Sequence, residues 1–175
     1  MSRFVFSLLL LITLVATTTA STKAQPHSKS VYLPLILKPA PPPPTFEEQV
    51  IALLNLERAK IANCPALNHS LQLAVAAEGH SLDMAGNNYF GHTGTDGSSP
   101  SSRAIAAGYM LSVGENIAAG QTTPQNVFNS WMSSAGHRQN MLNCSYRSTG
   151  VGYVSDPTDT FGPYRHYWTQ MFGIQ

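Results

Sequence analysis

His92, Glu115 and His137 are the residues of this chain best suited to chemistry, and they lie in three separate strings, FGHTG, GENIAAG and WMSSAGHRQNML. Two imidazoles and a carboxylate on different elements can converge on one metal ion or one substrate. As metal ligands they would hold Zn²⁺ through three protein atoms and leave a fourth position for water, as catalytic zinc sites do. Imidazole favours zinc over magnesium in such a set. As a metal-free cluster the same three side chains would hydrogen-bond one another and the backbone, because buried polar groups nearly always find partners. A hydrolase would instead use Ser134 as nucleophile, His137 as base and Glu115 as its orienter. No Gly-x-Ser-x-Gly turn surrounds that serine, and Ser134 equally suits the N-cap of the helix that follows it. The chain has no helical His-x-x-x-His pair, so convergence must come from the fold.

The elements that must position these residues are legible as helix starts followed by strands. Thr45-Phe-Glu-Glu48 is a capping box, and Phe46, Val50, Leu53, Leu54 and Ile61 then recur at helical spacing. A second, Ala-rich helix starts at Asn68 or Ser70 and carries Leu71, Val75, Leu82 and Ala85 as its expected buried stripe. It ends near Gly86-Asn87-Asn88, where left-handed backbone is tolerated. On this helix His80 shares its interval with Leu73, Ala77 and Met84, which marks it as a core residue rather than a ligand. Ser99-Pro100 and Thr123-Pro124 open two shorter helices, the former closing at Gly108, and a further turn or two from Ser134 carries His137. Gly94-Thr-Asp-Gly97 reads as a turn. Trp131 and Trp168 belong to the core, whereas Tyr89, Phe90 and Tyr109 are candidates to line a groove. Gly150–Val154 and Tyr164–Phe172 are aromatic and β-branched runs around a turn-rich segment, the pattern of a hairpin. Helices first and strands last indicate an α+β fold with an antiparallel sheet.

Composition narrows the setting. With 175 residues, 43% hydrophobic and 11% charged, the chain can build one packed domain but hardly two. Residues 1–24 combine a basic start, an apolar run and small residues, as a secretory signal does, and the run is too short to span a bilayer. No later stretch could span a membrane. Residues 25–44 hold the apolar octet Val31–Lys38 and the string PAPPPP, a stiff polyproline spacer, and residues 45–175 form the domain. Losing residues 1–24 removes Arg3 and Lys23 from ten Lys+Arg, leaving eight against nine Asp+Glu. A near-neutral surface excludes electrostatic capture of nucleic acid. Cys64 and Cys144 are the only cysteines, and an even pair in an exported chain is expected to form a disulfide.

The strings FGHTG, GENIAAG, WMSSAGHRQNML and YWTQMFG, in this order, resemble the secreted CAP superfamily, which unites cysteine-rich secretory proteins, insect venom allergens, plant pathogenesis-related proteins and many bacterial proteins. The resemblance runs from about Phe46 to Gln175. It implies a three-layer α-β-α sandwich with a central antiparallel sheet, an extracellular or cell-surface location and, in many members, a divalent metal held by two His and two Glu. His92 matches the first family histidine and Glu115 the first glutamate. Tyr167 stands where eukaryotic members have the second histidine, with His166 one residue away and so on the opposite face of its strand. Ser134 stands at the second glutamate position, and His137 offers itself as a substitute ligand in a bacterial-looking Ser-Ala-Gly-His-Arg string.

The expected function is a secreted binding module whose cleft, formed by His92, Glu115, His137, Ser134 and Tyr167, takes a small hydrophobic, glycan or peptide ligand, or a metal. A metal-assisted extracellular hydrolase and an inert adhesion module on the proline spacer are the alternatives.

Overall fold

A computed structural model of the chain describes residues 42–160 and 164–174. The expected signal, the apolar octet and most of the proline spacer lie outside the described residues. The elements follow one another as α1 (Phe46–Arg58), β1 (Asn68–His69), α2 (Leu71–Gly86), α3 (Pro100–Ala106), β2 (Val113–Ala119), α4 (Pro124–Ser133), α5 (Ala135–Met141), β3 (Ser148–Ser155) and β4 (His166–Gly173). The sheet order is β1-β3-β4-β2. β3–β4 and β2–β4 are antiparallel, and only the two-residue β1 runs parallel to its neighbour.

Local chemistry sets the helix starts. Thr45 and Glu48 cap α1 reciprocally, Thr45 N–H donating to Glu48 Oε2 at 2.8 Å and Glu48 N–H to Thr45 Oγ1 at 3.3 Å. Ser70 caps α2, so Asn68 belongs to β1 instead. Ser99 and Ser102 form a second capping box at α3, and Gly108 closes that helix with φ +90°. Ser134 sits at the N-cap position of α5, yet its hydroxyl makes no capping hydrogen bond.

Strand alternation sorts the core into two sides. Glu115, Ile117 and Ala119 lie opposite Met171, Thr169 and Tyr167, so these six share one face of the sheet. That face packs on α2 through Leu73, Ala76, Ala77, Met84 and Ala85. Trp168 and Phe172 point the other way with Ala118 and Val151, against Val50 and Leu54 of α1 and Val127, Phe128 and Trp131 of α4. The result is a three-layer α-β-α arrangement.

The sequence expectation for α2 is corrected here. Leu71, Val75 and Leu82 are 69%, 55% and 54% exposed, and the buried stripe is Leu73, Ala76, Ala77, His80, Ser81, Met84 and Ala85. Close approach is the reason. A Cβ added at Gly150 would lie 2.1 Å from the backbone nitrogen of Ala74, and one at Gly152 would lie 2.3 Å from that of Glu78. β3 therefore meets the α2 backbone directly at Gly150 and Gly152, and this close approach selects the face of α2 that turns inward. Ser81 Oγ lies 3.2 Å from the carbonyl of Gly152, to which it donates, and 3.0 Å from Thr169 Oγ1.

At the far corner Cys64 and Cys144 form the expected disulfide. Beside it Arg58, fully buried, donates to the carbonyls of Pro65 (2.9 Å), Met141 (2.9 Å), Asn143 (3.0 Å) and Tyr146 (3.1 Å). Burial, and then the nearby Arg147, lower its pKa.

Candidate functional site

The site begins with Glu115, placed in mid-strand on β2 with its carboxylate on the α2 side and only 2% of the side chain exposed. A buried carboxylate is costly unless it is paired. Two donors meet it. His92 Nδ1 lies 2.7 Å from Oε1, and Arg103 Nη2 donates to Oε2 at 2.7 Å. A carboxylate only accepts, so Nδ1 of His92 carries the hydrogen and Nε2 is left as the imidazole's outer nitrogen. The His92 side chain is 54% exposed.

His92 is carried by the loop between α2 and α3, which is held from three directions. His80, fully buried, donates from Nε2 to the carbonyl of Gly91 at 2.9 Å, while its buried Nδ1 finds no partner among the described residues. Burial lowers the His80 pKa, and Arg103 adds to that; Glu115, the Gly91 carbonyl and Asp83 oppose it. Asp83 accepts from Thr95 N–H at 2.9 Å and from the hydroxyls of Thr95 and Tyr89. Burial pushes the Asp83 carboxyl up, but these hydrogen bonds together hold it below its ordinary pKa. Tyr89 is displaced upward by burial and then by Asp83. Arg103 donates from Nη1 to Ser98 O (2.9 Å) and Ser98 Oγ (3.3 Å), and from Nη2 to His92 O (3.0 Å). Gly94–Gly97 closes as a turn through Gly97 N–H to Gly94 O at 2.9 Å.

His137 comes from α5, on the free-edge side of β2. Asn116 Nδ2 donates to its carbonyl at 3.1 Å, and Asn140 Nδ2 donates to Glu115 O at 3.2 Å, which docks α5 on the strand. Burial, followed by the charge of His92, lowers the His137 pKa. His137 lines a hollow of about 270 Å³ whose other walls include Phe90, Ile117, Ala119, Ser130, Trp131 and Tyr164. Phe90 and Tyr164 stack with centroids 6.4 Å apart.

Of the five residues expected in the cleft, Glu115 and His92 meet in a hydrogen bond, His137 lines the hollow, and Tyr167 and Ser134 join neither group. Tyr167 is fully buried and its hydroxyl donates to Asp159 Oδ2 at 2.5 Å; burial and then that bond raise its pKa. In register it lies opposite Ala119 while Glu115 lies opposite Met171, four residues or roughly 13 Å along the sheet. His166 is on the other face, where its Nδ1 meets Tyr153 OH at 2.8 Å, as strand alternation requires. Ser134 does not line the hollow. The serine hydrolase arrangement is not assembled either, because Glu115 spends its two oxygens on His92 and Arg103 and does not orient His137. The groove aromatics divide as well. Phe90 lines the hollow, whereas Tyr109 donates to Ile174 O and Tyr89 packs on Met84 and Ala85.

A three-ligand zinc site does not fit this arrangement. Both Glu115 oxygens are committed, one of them to a guanidinium, and a divalent cation there would face the positive charge of Arg103. Among the described residues no group of three or more His, Cys, Asp or Glu side chains is arranged to hold a metal ion. Glu115 is placed instead as an orienter of His92. Arg103 is the site residue that sequence reasoning missed. Its signal was present: it is the fourth residue of a helix opened by Ser99-Pro100, the right place to reach back to the preceding loop.

No helix among the described residues is long and apolar enough to cross a membrane. Residues 51–172 match the Cysteine-rich secretory protein family. The protein YkwD of Bacillus subtilis is 38% identical over 128 residues, which is 73% of this chain and 46% of that protein, so the chain spans less than half of this relative's length. A crystal structure of an extracellular protein containing a SCP domain from Bacillus anthracis superposes with TM-score 0.64 at 32% identity, covering 74% of this chain and 40% of that one. An outer surface protein of Borrelia burgdorferi shares the fold with TM-score 0.63 at 19% identity, covering 72% of this chain and 90% of that one. The family match, the curated relative and the common sandwich agree, and the chain belongs to the CAP family of cysteine-rich secretory proteins.

Proposed function

We propose that this chain is an exported CAP-domain binding protein whose hollow beside β2 takes the apolar part of a ligand while the imidazoles of His92 and His137 meet its polar part. The observation that carries this reading is the hollow itself. Its walls are aromatic and aliphatic, with Phe90, Ile117, Trp131 and Tyr164 around a half-buried His137, the mix of apolar wall and few polar groups typical of ligand sites. A volume of about 270 Å³ lies at the small end for such sites, so it suits one side chain of a peptide or a short acyl segment. Export is supported by the leader-like residues 1–24 and by the disulfide, which oxidising compartments favour. It is also supported by structural neighbours described as extracellular and outer-surface proteins.

The test is to fill the hollow. Titrating a small fluorescent apolar probe into wild type and Ala119→Phe, with circular dichroism to verify folding, should show affinity falling more than about tenfold in the variant. Equal affinity would place the ligand elsewhere.

A hydrolase reading retains one specific observation. The Glu115–His92 pair resembles the carboxylate–imidazole half of a general-base system, on a half-exposed imidazole whose Nε2 lies outside that hydrogen bond. Turnover of a chromogenic ester or peptide that vanishes in Glu115→Gln, with probe binding retained, would favour it over simple binding.

A further inference from the structure

We propose that Arg103 is the built-in cation of this site, standing at Glu115 where a metal ion would otherwise neutralise the carboxylate. Three observations lead there. First, the Glu115 side chain is 2% exposed, and a carboxylate so placed requires a positive partner. Second, Arg103 is itself largely buried, with 11% of its side chain exposed, and one nitrogen, Nη2, joins Glu115 Oε2 to the backbone of His92. Third, the same fork reaches Ser98 through Nη1, so the cation is also the strut that holds the His92 loop. A bare metal ion could supply the charge but could not span from β2 to the Ser98 carbonyl through one rigid plane.

The arrangement makes Arg103 a positioning residue. It leaves Oε1 to accept from His92 Nδ1, which fixes the outward nitrogen of that ring as Nε2. Removing the guanidinium would strand a buried carboxylate. Buried His80, which holds the Gly91 carbonyl next to His92, carries an Nδ1 with no partner among the described residues. A carboxylate oxygen and an imidazole lone pair are the atoms that a zinc ion accepts. The wild-type chain therefore excludes metal from Glu115, and the neutral variant admits it. This does not depend on what occupies the hollow.

Calorimetric titration of Zn²⁺ into the full chain tests the idea, using wild type, Glu115→Gln, Arg103→Met and Arg103→Lys, with nitrogen-15 NMR of the imidazoles as a second readout. Wild type and Glu115→Gln should bind zinc equally, since Glu115 is not a ligand. Arg103→Met should bind at least tenfold more tightly, and adding Glu115→Gln to it should cancel the gain. Arg103→Lys, which keeps the charge but loses the fork, should stay at the wild-type zinc affinity while the His92 ring loses its single Nδ1–H signature. The proposal is overturned if Glu115→Gln alone weakens zinc binding tenfold in a folded protein, or if folded Arg103→Met gains nothing. It is also overturned if Arg103→Lys gains as much as Arg103→Met. Should Arg103→Met fail to fold, the wild-type, Glu115→Gln and Arg103→Lys arms still decide it. Probe binding in the hollow is read separately, so failure of either idea leaves the other standing.

Discussion

Two arginines sit at opposite duties in this fold, and the partners of each reveal which duty. Arg58 is fully buried and gives its hydrogen bonds to four backbone carbonyls, drawing residues 65, 141, 143 and 146 around the end of α1. Arg103 sits next to a solvent-facing imidazole and divides its bonds between one carboxylate and the loop that carries that imidazole. The guanidinium fork is the same, with five donors in one plane. Neutral acceptors make it a staple between distant chain segments. A charged acceptor beside an open surface makes it a means of presenting another side chain. Around Arg58 the disulfide duplicates the task with a covalent link; around Arg103 the remaining ties on the loop are the hydrogen bond that His80 donates to Gly91 and those that Asp83 accepts from Thr95.

The comparison can be broken first at the staple. The disulfide closes a separation of 80 residues, for which the chain-entropy model gives about 4 kcal/mol, so Cys64→Ser with Cys144→Ser should lower the melting temperature by roughly 10 °C or more. Scanning calorimetry checks it, and a shift under about 2 °C would mean that the unfolded chain gains little from the cut. Arg58→Leu should cost about 3 kcal/mol, because it leaves buried carbonyls without a donor. Denaturant titration of that variant should show a midpoint shift with an unchanged slope, and a near-neutral result would place water at those carbonyls.

Arg103→Met should cost somewhat less globally, about 2–3 kcal/mol, because Glu115 loses its cation but keeps the hydrogen bond from His92. Its signature is local. Hydrogen exchange should accelerate at residues 91–98 and leave the Arg58 corner unchanged; acceleration at both would erase the distinction drawn between the two arginines.

The smallest effect is that of pH. His80 and His137 have lowered pKa values, mainly through burial, so near pH 6 the unfolded chain binds more protons than the folded one. Stability is then fully present above the ordinary imidazole pKa of about 6.5 and declines as pH falls through the lowered values. His80→Gln keeps a donor for the Gly91 carbonyl without titrating, and it should flatten the loss between pH 7 and 5 in denaturant titrations. A slope identical to wild type would remove His80 from the acid response.

Much of the scaffold could be read from spacing. The Thr45–Glu48 box, the Ser-Pro and Thr-Pro starts, the Gly108 stop and the β3–β4 hairpin all depend on residues within a few positions of one another. What escaped was less local. β2 was missed because Val113-Gly-Glu-Asn-Ile-Ala-Ala119 has few β-branched residues and gains its strand conformation by pairing along β4. On α2 the larger Leu71/Val75/Leu82 stripe looked like the core side, and Gly150 and Gly152, more than 60 positions away, reversed that choice. Arg58 did leave a trace, standing four residues after Leu54 and eight after Val50 on the buried side of α1.

The amino-acid order alone determined where helices begin and which cysteines pair, since capping bonds, periodicity and an even cysteine count are written in neighbouring or countable residues. Only the tertiary structure decided that Glu115 spends its oxygens on His92 and Arg103, that Tyr167 turns to Asp159, and that the Leu73/Ala77/Met84 side of α2 rather than the Leu71/Val75/Leu82 side meets the sheet. A carboxylate's partner is whichever donor the packed chain brings within 3 Å, and several donors of similar strength compete for that position until the layers close.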